Sequence, residues 1–523
     1  MEIFWNNGER ETIKGLDILG FRQVDQGIEQ KLVANTTTIS IRARYLTLLP
    51  WLFGEYYQQD LEKQDGQAEF DYEKFRQALA RMEFIIIASS RIKASSVGTE
   101  ALYGMIGPDL FKKELAEFFD NGSVSLDFGK RGGSSLNTYI MPCRGFGILH
   151  TDMGESIVPV GITPRGTEIY NARKARIGDN GLKKLILEGG TLTRDAIEAQ
   201  GEHFSVNDLN SGPEERRLLR EAFLQPYAEN PDVKDRYARF RRTIEWALIS
   251  LRDKPNRFSE TLIRDHFKYA VTTPTPFLNE VTTVWSEYEL RRRCHFACEL
   301  LLSALSDTLR DLTEATVDEV LAEWEDQGAS TEMIDKMLSG GHLSFSDKIS
   351  QLMEKIPDDA FLDEGLMADK IRGQASAPRA AYAVLLMLAC KKQVARLWEN
   401  NHITKRDYNG FDQVMRAFDI LGNQEKSLRE ILGILLVEMV IEPHLSTSLR
   451  KLGQGQKCSL RFFPEGSILR RTGENVRAGY SGSRLGNVLN FLSDAGYLAR
   501  IKGGGFQVAP DGRDLLAIMA GDK

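Results

Sequence analysis

The sequence predicts a mainly α-helical, multidomain protein with small β wings, an α+β arrangement of winged-helix-like modules around a helical middle. Three observations predict it. Long stretches such as "VKDRYARFRRTIEWALISL" (233–251) and "WSEYELRRRCHFACELLLSALSDTL" (285–309) place apolar residues at helical spacing with charged opposite faces. The β-type runs are few and short, and each sits beside Gly or Pro turn chemistry. One local pattern, a short strand, a Pro-x-Gly turn and a departing helix, occurs twice, as "VGITPRGTEIYNAR" (160–173) and "GFQVAPDGRDLLAIM" (505–519). Proline fixes φ and glycine tolerates positive φ, which suits such a turn.

At 523 residues the length suggests roughly three or four domains of about 150 residues each. Hydrophobic residues make up 42% and charged residues 27%, the balance of an ordinary soluble globular protein. The opening "MEIFWNNGERET" has neither the basic start nor the apolar segment of a signal peptide. The longest apolar runs, 380–390 and 431–437, fall short of the roughly 20 residues of a membrane span and read as buried helices. Five scattered cysteines, at 143, 294, 298, 390 and 458, suggest no disulfide framework. A cytoplasmic location is expected, with no membrane partner.

Residues 1–78 read as an N-terminal helical domain. Arg42 and Arg44 lie inside its apolar run 35–59, where an arginine paired with a buried carboxylate is the expectation. Residues 79–176 read as a winged-helix-like domain, with Pro142 expected to kink or end its candidate recognition helix. Residues 177–445 form a helical middle domain, with no 20–50-residue repeat of the kind that marks a solenoid.

Residues 446–523 read as a basic winged-helix-like domain. Lys and Arg number 12 in residues 450–523 against 6 Asp and Glu, a local charge of +6 on a chain of net charge −7. Leu485, Val488, Leu489 and Leu492 share one helical face, with Ser483 at the expected N-cap and Gly496 at the expected left-handed C-cap. Two short strands follow, Tyr497 to Ile501 and Phe506 to Val508, around a glycine-rich tip. With the leucine face inward, Arg484, Asn487 and Asn490 are expected to project outward, where Arg can pair with guanine and Asn with adenine. Arg500 and Lys502 are expected along the wing, and Arg470, Arg471 and Arg477 to neutralise phosphates. One element is missing, because a helix-turn-helix needs a second helix just before Ser483 and "RTGENVRAGYSG" stands there instead. "STSLRKL" (446–452) is a candidate, with the hairpin at Pro464-Glu465-Gly466 inserted after it.

Catalytic motifs are scarce. There is no HExxH, and "GKRGGSS" (129–135) departs from a phosphate loop in spacing and lacks the Ser/Thr that would follow its lysine, although its amides could cradle a phosphate. Cys294, His295 and Cys298 lack the second ligand pair of a structural zinc site. No cofactor or metal is expected, and the sequence leans towards a non-catalytic role.

The combination of "RARYLTLLPWL" (42–52), "ITPRGTEIYNAR" (162–173), "GGTLTRDAI" (189–197) and "HLSTSLRKLGQGQKCSLRFFPEG" (444–466) resembles poorly characterised bacterial proteins found in anti-phage defence islands. The resemblance implies a companion to a helicase, a nuclease or a large ATPase. The expectation is therefore a DNA-binding or DNA-sensing, non-catalytic subunit of a defence complex. Two other classes are kept: a kleisin-like scaffold bridging an SMC-type ATPase complex, and a cryptic nuclease.

Overall fold

The computed structural model describes residues 17–33, 35–37, 39–61, 70–97, 104–152, 159–207, 212–273, 279–339, 341–363, 367–399, 413–453, 459–472, 474–480, 482–501 and 503–521. They are mainly helical. The strands form three two-stranded sheets and one three-stranded sheet, every pairing antiparallel.

The chain falls into two compact units, and both are discontinuous. The first takes Met1–Glu29 and Ile263–Ser481, the second Gln30–Leu262 and Gly482–Lys523. This division cuts across the four consecutive segments expected. The basic segment 446–523 is shared between the units, with the hairpin at 462–471 in the first and the helix and hairpin of 485–508 in the second.

In the first unit the 33-residue helix Glu280–Leu312 packs against the helix Ser376–Glu399. Both are buried over most of their circumference, enclosed by their neighbours. The expected buried run 380–390 lies here, and every residue of it is buried. The charges the long helix carries inward are paired: Glu289 takes both Arg292 and Arg293, and Glu299 accepts from Arg22 (2.8 Å) and the Gly479 amide (2.9 Å). The strand Glu314–Thr316 pairs with Ile468–Arg471, which pairs in turn with Phe462–Glu465. Thr316 and Glu319 then start the helix Val317–Gln327 with reciprocal capping bonds. Helical residues Leu428–Leu452 are long and apolar enough to cross a membrane, and 56% of the most apolar window is buried inside the protein.

The second unit contains one local structure twice. The helix Ser134–Gly145 is followed by the strand pair Leu149–His150 and Gly161–Ile162 and the helix Pro164–Ile177. The helix Leu485–Asp494 is followed by Leu498–Arg500 and Phe506–Val508 and the helix Pro510–Gly521. Both first helices end in the same Schellman turn. Gly147 N bonds Arg144 O (3.0 Å) and Ile148 N bonds Cys143 O (2.8 Å) in one; Gly496 N bonds Ser493 O (3.0 Å) and Tyr497 N bonds Leu492 O (2.9 Å) in the other. The capping glycines have φ of +66° and +80°, so the expected left-handed cap at Gly496 is present. The Pro-x-Gly turns also match. A Cβ on Gly166 would lie 2.1 Å from Ile148 O, and one on Gly512 2.2 Å from Tyr497 O. Glycine is needed there for close approach of helix to strand, not for positive φ. Pro142 does not end its helix, which runs on to Gly145.

The segment that Ser483 bonds lies far upstream in the chain. Asn256 N bonds Phe506 O and Phe506 N bonds Arg257 O, so Arg257 adds to the Phe506–Val508 strand. The Ser483 amide and hydroxyl both donate to Glu260 Oε1 at 3.0 Å, at the start of the helix Ser259–Thr272. Ser483 therefore bonds a neighbouring carboxylate instead of capping its own helix. In chain order the elements are the helix Pro231–Asp253, the bridge at Arg257 and the helix from Ser259, then, after a long intervening stretch, the helix from Leu485 and its hairpin.

Candidate nucleic-acid interface

The structure corrects the expected reading surface. Asn487 and Asn490 do not project outward; they are only 7% and 2% exposed. Asn487 Nδ2 donates to Thr37 O (2.6 Å), and Asn490 accepts from Arg500. Asp494 at the end of the same helix accepts from Arg42 (2.8 Å) and from the Ala43 amide (2.8 Å), so the segment around residues 37–43 covers the polar face. Phe491, off the leucine stripe, is buried and stacks on Phe223 with centroids 5.6 Å apart. This apolar residue among the polar ones was the available signal that the second face is covered too. A helix enclosed on both faces cannot enter a groove.

The remaining candidates are dispersed. Arg500 lies over the Phe506 ring at 5.2 Å. Lys502 lies outside the described residues. Arg470, Arg471 and Arg477 belong to the first unit, whereas Arg484 and Arg500 belong to the second. Arg470 is held between Glu314 (3.0 Å) and Glu465 (2.9 Å), so its charge is compensated locally, and Arg471 donates to Asn475 (2.9 Å). Arg477 is open to solvent, 3.8 Å from Asp369.

The equivalent helix of the other repeat is open. Ser134–Gly145 buries Ser135, Thr138, Tyr139, Pro142 and Cys143 and leaves Asn137, Met141 and Arg144 exposed, an i, i+4, i+7 stripe. Its last turn borders a cleft of about 720 Å³. Three arginines line that cleft: Arg144 from this helix, Arg236 from Pro231–Asp253, and Arg484 at the start of Leu485–Asp494. His150 of the adjoining hairpin and the Thr36–Thr37 segment add polar groups, and Asp152 is the carboxylate among the lining residues. Of the seven candidates among the described residues, Arg484 alone lines this cleft. Sequence reasoning missed Arg144 and Arg236, although Arg144 stands where a helix of the repeated motif presents its last turn.

Other charged clusters in this unit are closed. Glu215 is fully buried among Arg173 (3.0 Å), Arg176 (3.0 Å) and Arg44 (3.3 Å), with the Thr47 hydroxyl on its second oxygen. Burial alone would raise its pKa; the three guanidiniums outweigh burial and hold it down at about 2. Arg42 and Arg44 are thus carboxylate-paired, as expected. Two amides of "GKRGGSS" are already occupied: Gly133 N (2.8 Å) and Ser135 N (2.5 Å) donate to Glu83, whose own carboxyl is pushed up by burial. Cys294 and Cys298 are buried, and among the described residues no group of three or more His, Cys, Asp or Glu side chains could hold a metal ion.

No family model matches the chain, and comparison with curated proteins and with solved structures gives no match.

Proposed function

We propose that this chain is a DNA-binding or DNA-sensing subunit and that it grips the phosphate backbone in the Arg144–Arg236–Arg484 cleft. The observation that carries the reading is the convergence of three arginines, from three separated stretches of chain, on one concavity that has one carboxylate, Asp152, among its described lining residues. Guanidiniums lining one concavity offer planar, permanently charged donors, which suits a site for polyanions. We read each repeated helix, hairpin and helix as a winged helix. The Arg257 bridge supports this for the second, because it gives the first–third–second strand order of that module. On this reading the Ser134–Gly145 module faces DNA and the Leu485–Asp494 module has become part of the scaffold. The setting in a bacterial defence complex, with chemistry supplied by a helicase, nuclease or ATPase partner, rests on the sequence resemblance.

The test is DNA affinity of the full chain across a potassium chloride series. Replacing Arg144 and Arg236 by alanine should reduce the slope of log affinity against log salt by about 1.4 to 1.8, at roughly 0.7 to 0.9 per lost phosphate contact. Unchanged affinity and slope in the double variant would remove the cleft from the reading. Stable co-purification with an ATPase, unaffected by these substitutions and without DNA affinity, would favour the scaffold class instead.

A further inference from the structure

We infer that the cleft takes single-stranded DNA, with Tyr227 as the platform on which an unpaired base stacks. This rests on the proposal that the cleft holds phosphates, and specifies which form of nucleic acid it accepts.

The first argument is shape. A duplex is read by convex elements that enter its grooves. The arginines here line a hollow, and a volume of about 720 Å³ lies in the range of pockets that enclose small molecules. A phosphate and its base can enter such a hollow only when the base is not paired.

The second argument is the ring in the wall. Tyr227 is 40% exposed; Tyr72 and Phe258 of the same unit are exposed as well, but of these three rings Tyr227 is the one that lines the cleft. It is nonetheless fixed. Its ring rests on Gly147, where any Cβ would lie 2.1 Å from Tyr227 Cγ, so that backbone position must stay bare. The Arg165 guanidinium sits 6.0 Å from the ring centroid, and the Tyr237 ring meets it edge-on at 6.3 Å. Its hydroxyl accepts from Arg236 Nη2 at 3.2 Å, which ties the ring to one of the cleft arginines. The thioether of Met141, 56% exposed, lines the same cleft and adds a second apolar surface. A fixed aromatic ring beside cationic side chains is the arrangement by which proteins hold single strands, stacking for the base and charge for the backbone.

The experiment compares a fluorescein-labelled thymidine-rich single strand with a duplex of the same length, by anisotropy at fixed salt. Wild type should prefer the single strand. Tyr227→Ala should weaken single-strand binding by between about 5- and 150-fold and leave duplex binding unchanged. Tyr227→Leu keeps an apolar group over Gly147 without a π face, and should lose as much as the alanine variant. Tyr227→Phe keeps the ring and should retain most of the affinity. Equal binding of single strand and duplex, or single-strand affinity unaffected in both the Ala and Leu variants, overturns the inference. If the Arg144/Arg236 double variant still lowers affinity in that case, only the stacking inference fails. If it does not, the cleft reading fails with it.

Discussion

Glu215 offers the sharpest quantitative test of how the second unit is held around its cleft. Its carboxylate joins the helix Tyr45–Leu61, through Thr47 and the preceding Arg44, to the helix Pro164–Ile177, through Arg173 and Arg176. Glu215→Gln keeps the shape and removes the charge, leaving Arg44 and Arg173 fully buried with no counter-ion on that side chain. A carboxyl held at about 2 instead of 4.5 corresponds to a stabilisation on the order of 3 kcal/mol. That agrees with the roughly 3–5 kcal/mol lost when one partner of a buried pair is removed. The assay is urea unfolding followed by tryptophan fluorescence; at a slope near 3 kcal/mol/M the midpoint should fall by about 1 M. The pH dependence has a fixed sign. Because the folded-state pKa is depressed, the contribution is complete above pH 4.5 and disappears as pH falls through about 2. The gap between wild type and variant should therefore be flat above about pH 5 and narrow in acid. A loss below about 1 kcal/mol, or a gap that does not change down to the pH where wild type itself unfolds, would refute this account.

Three further outcomes are expected. Gly512→Ala should destabilise the protein by more than the ordinary few tenths of a kcal/mol of a surface change, since its Cβ would meet Tyr497 O at 2.2 Å; Gly166→Ala should behave alike, and chemical unfolding of either variant at wild-type midpoint would contradict the close approach. Asn487→Ala should cost about 1 kcal/mol by removing the shorter of the two bonds to Thr37 O, the Ser40 hydroxyl remaining at 3.3 Å, while DNA affinity stays unchanged; a loss of affinity without a loss of stability would restore that helix as a reading surface. His444, pushed down to about 4 by burial, accepts from the Arg461 amide at Nε2 and bonds Ile18 O through Nδ1, a neutral tautomer. Its depressed pKa makes stability fall as pH drops from about 6.5 towards 4, by up to roughly 3 kcal/mol, and His444→Gln should flatten that part of the acid profile.

Much of the local structure was legible. The stripe of Leu485, Val488, Leu489 and Leu492, the glycine cap at 496, the hairpin after it and the matching Pro-x-Gly turns all follow from short-range rules, because caps and turns are decided within a few residues. What those elements touch was not legible. Nothing local in "SGSRLGNV" says that Ser483 bonds Glu260, 223 residues upstream. The direction of Asn487 differs from the expectation for a related reason: an asparagine on the polar face of a helix is exposed unless a distant segment supplies a partner, and here Thr37 does, while Asn490 is bonded by Arg500 of the adjoining hairpin. Arg144 and Arg236 carry no motif and became visible as a pair only when folding brought a helix end and a helix flank to one cleft.

The interleaving of the two units constrains how the protein is made. Arg257 and the strand it joins at Phe506 are separated by 249 residues of chain, all of which must leave the ribosome before that edge can pair. At roughly 5–20 residues per second this is a delay of about 12 to 50 seconds. During it Phe146 and Phe223, which finally enclose Phe491, have no such cover. The helix Leu485–Asp494 thus acts as a clasp, and a nascent chain interrupted near residue 481 would present that aromatic seat to chaperones.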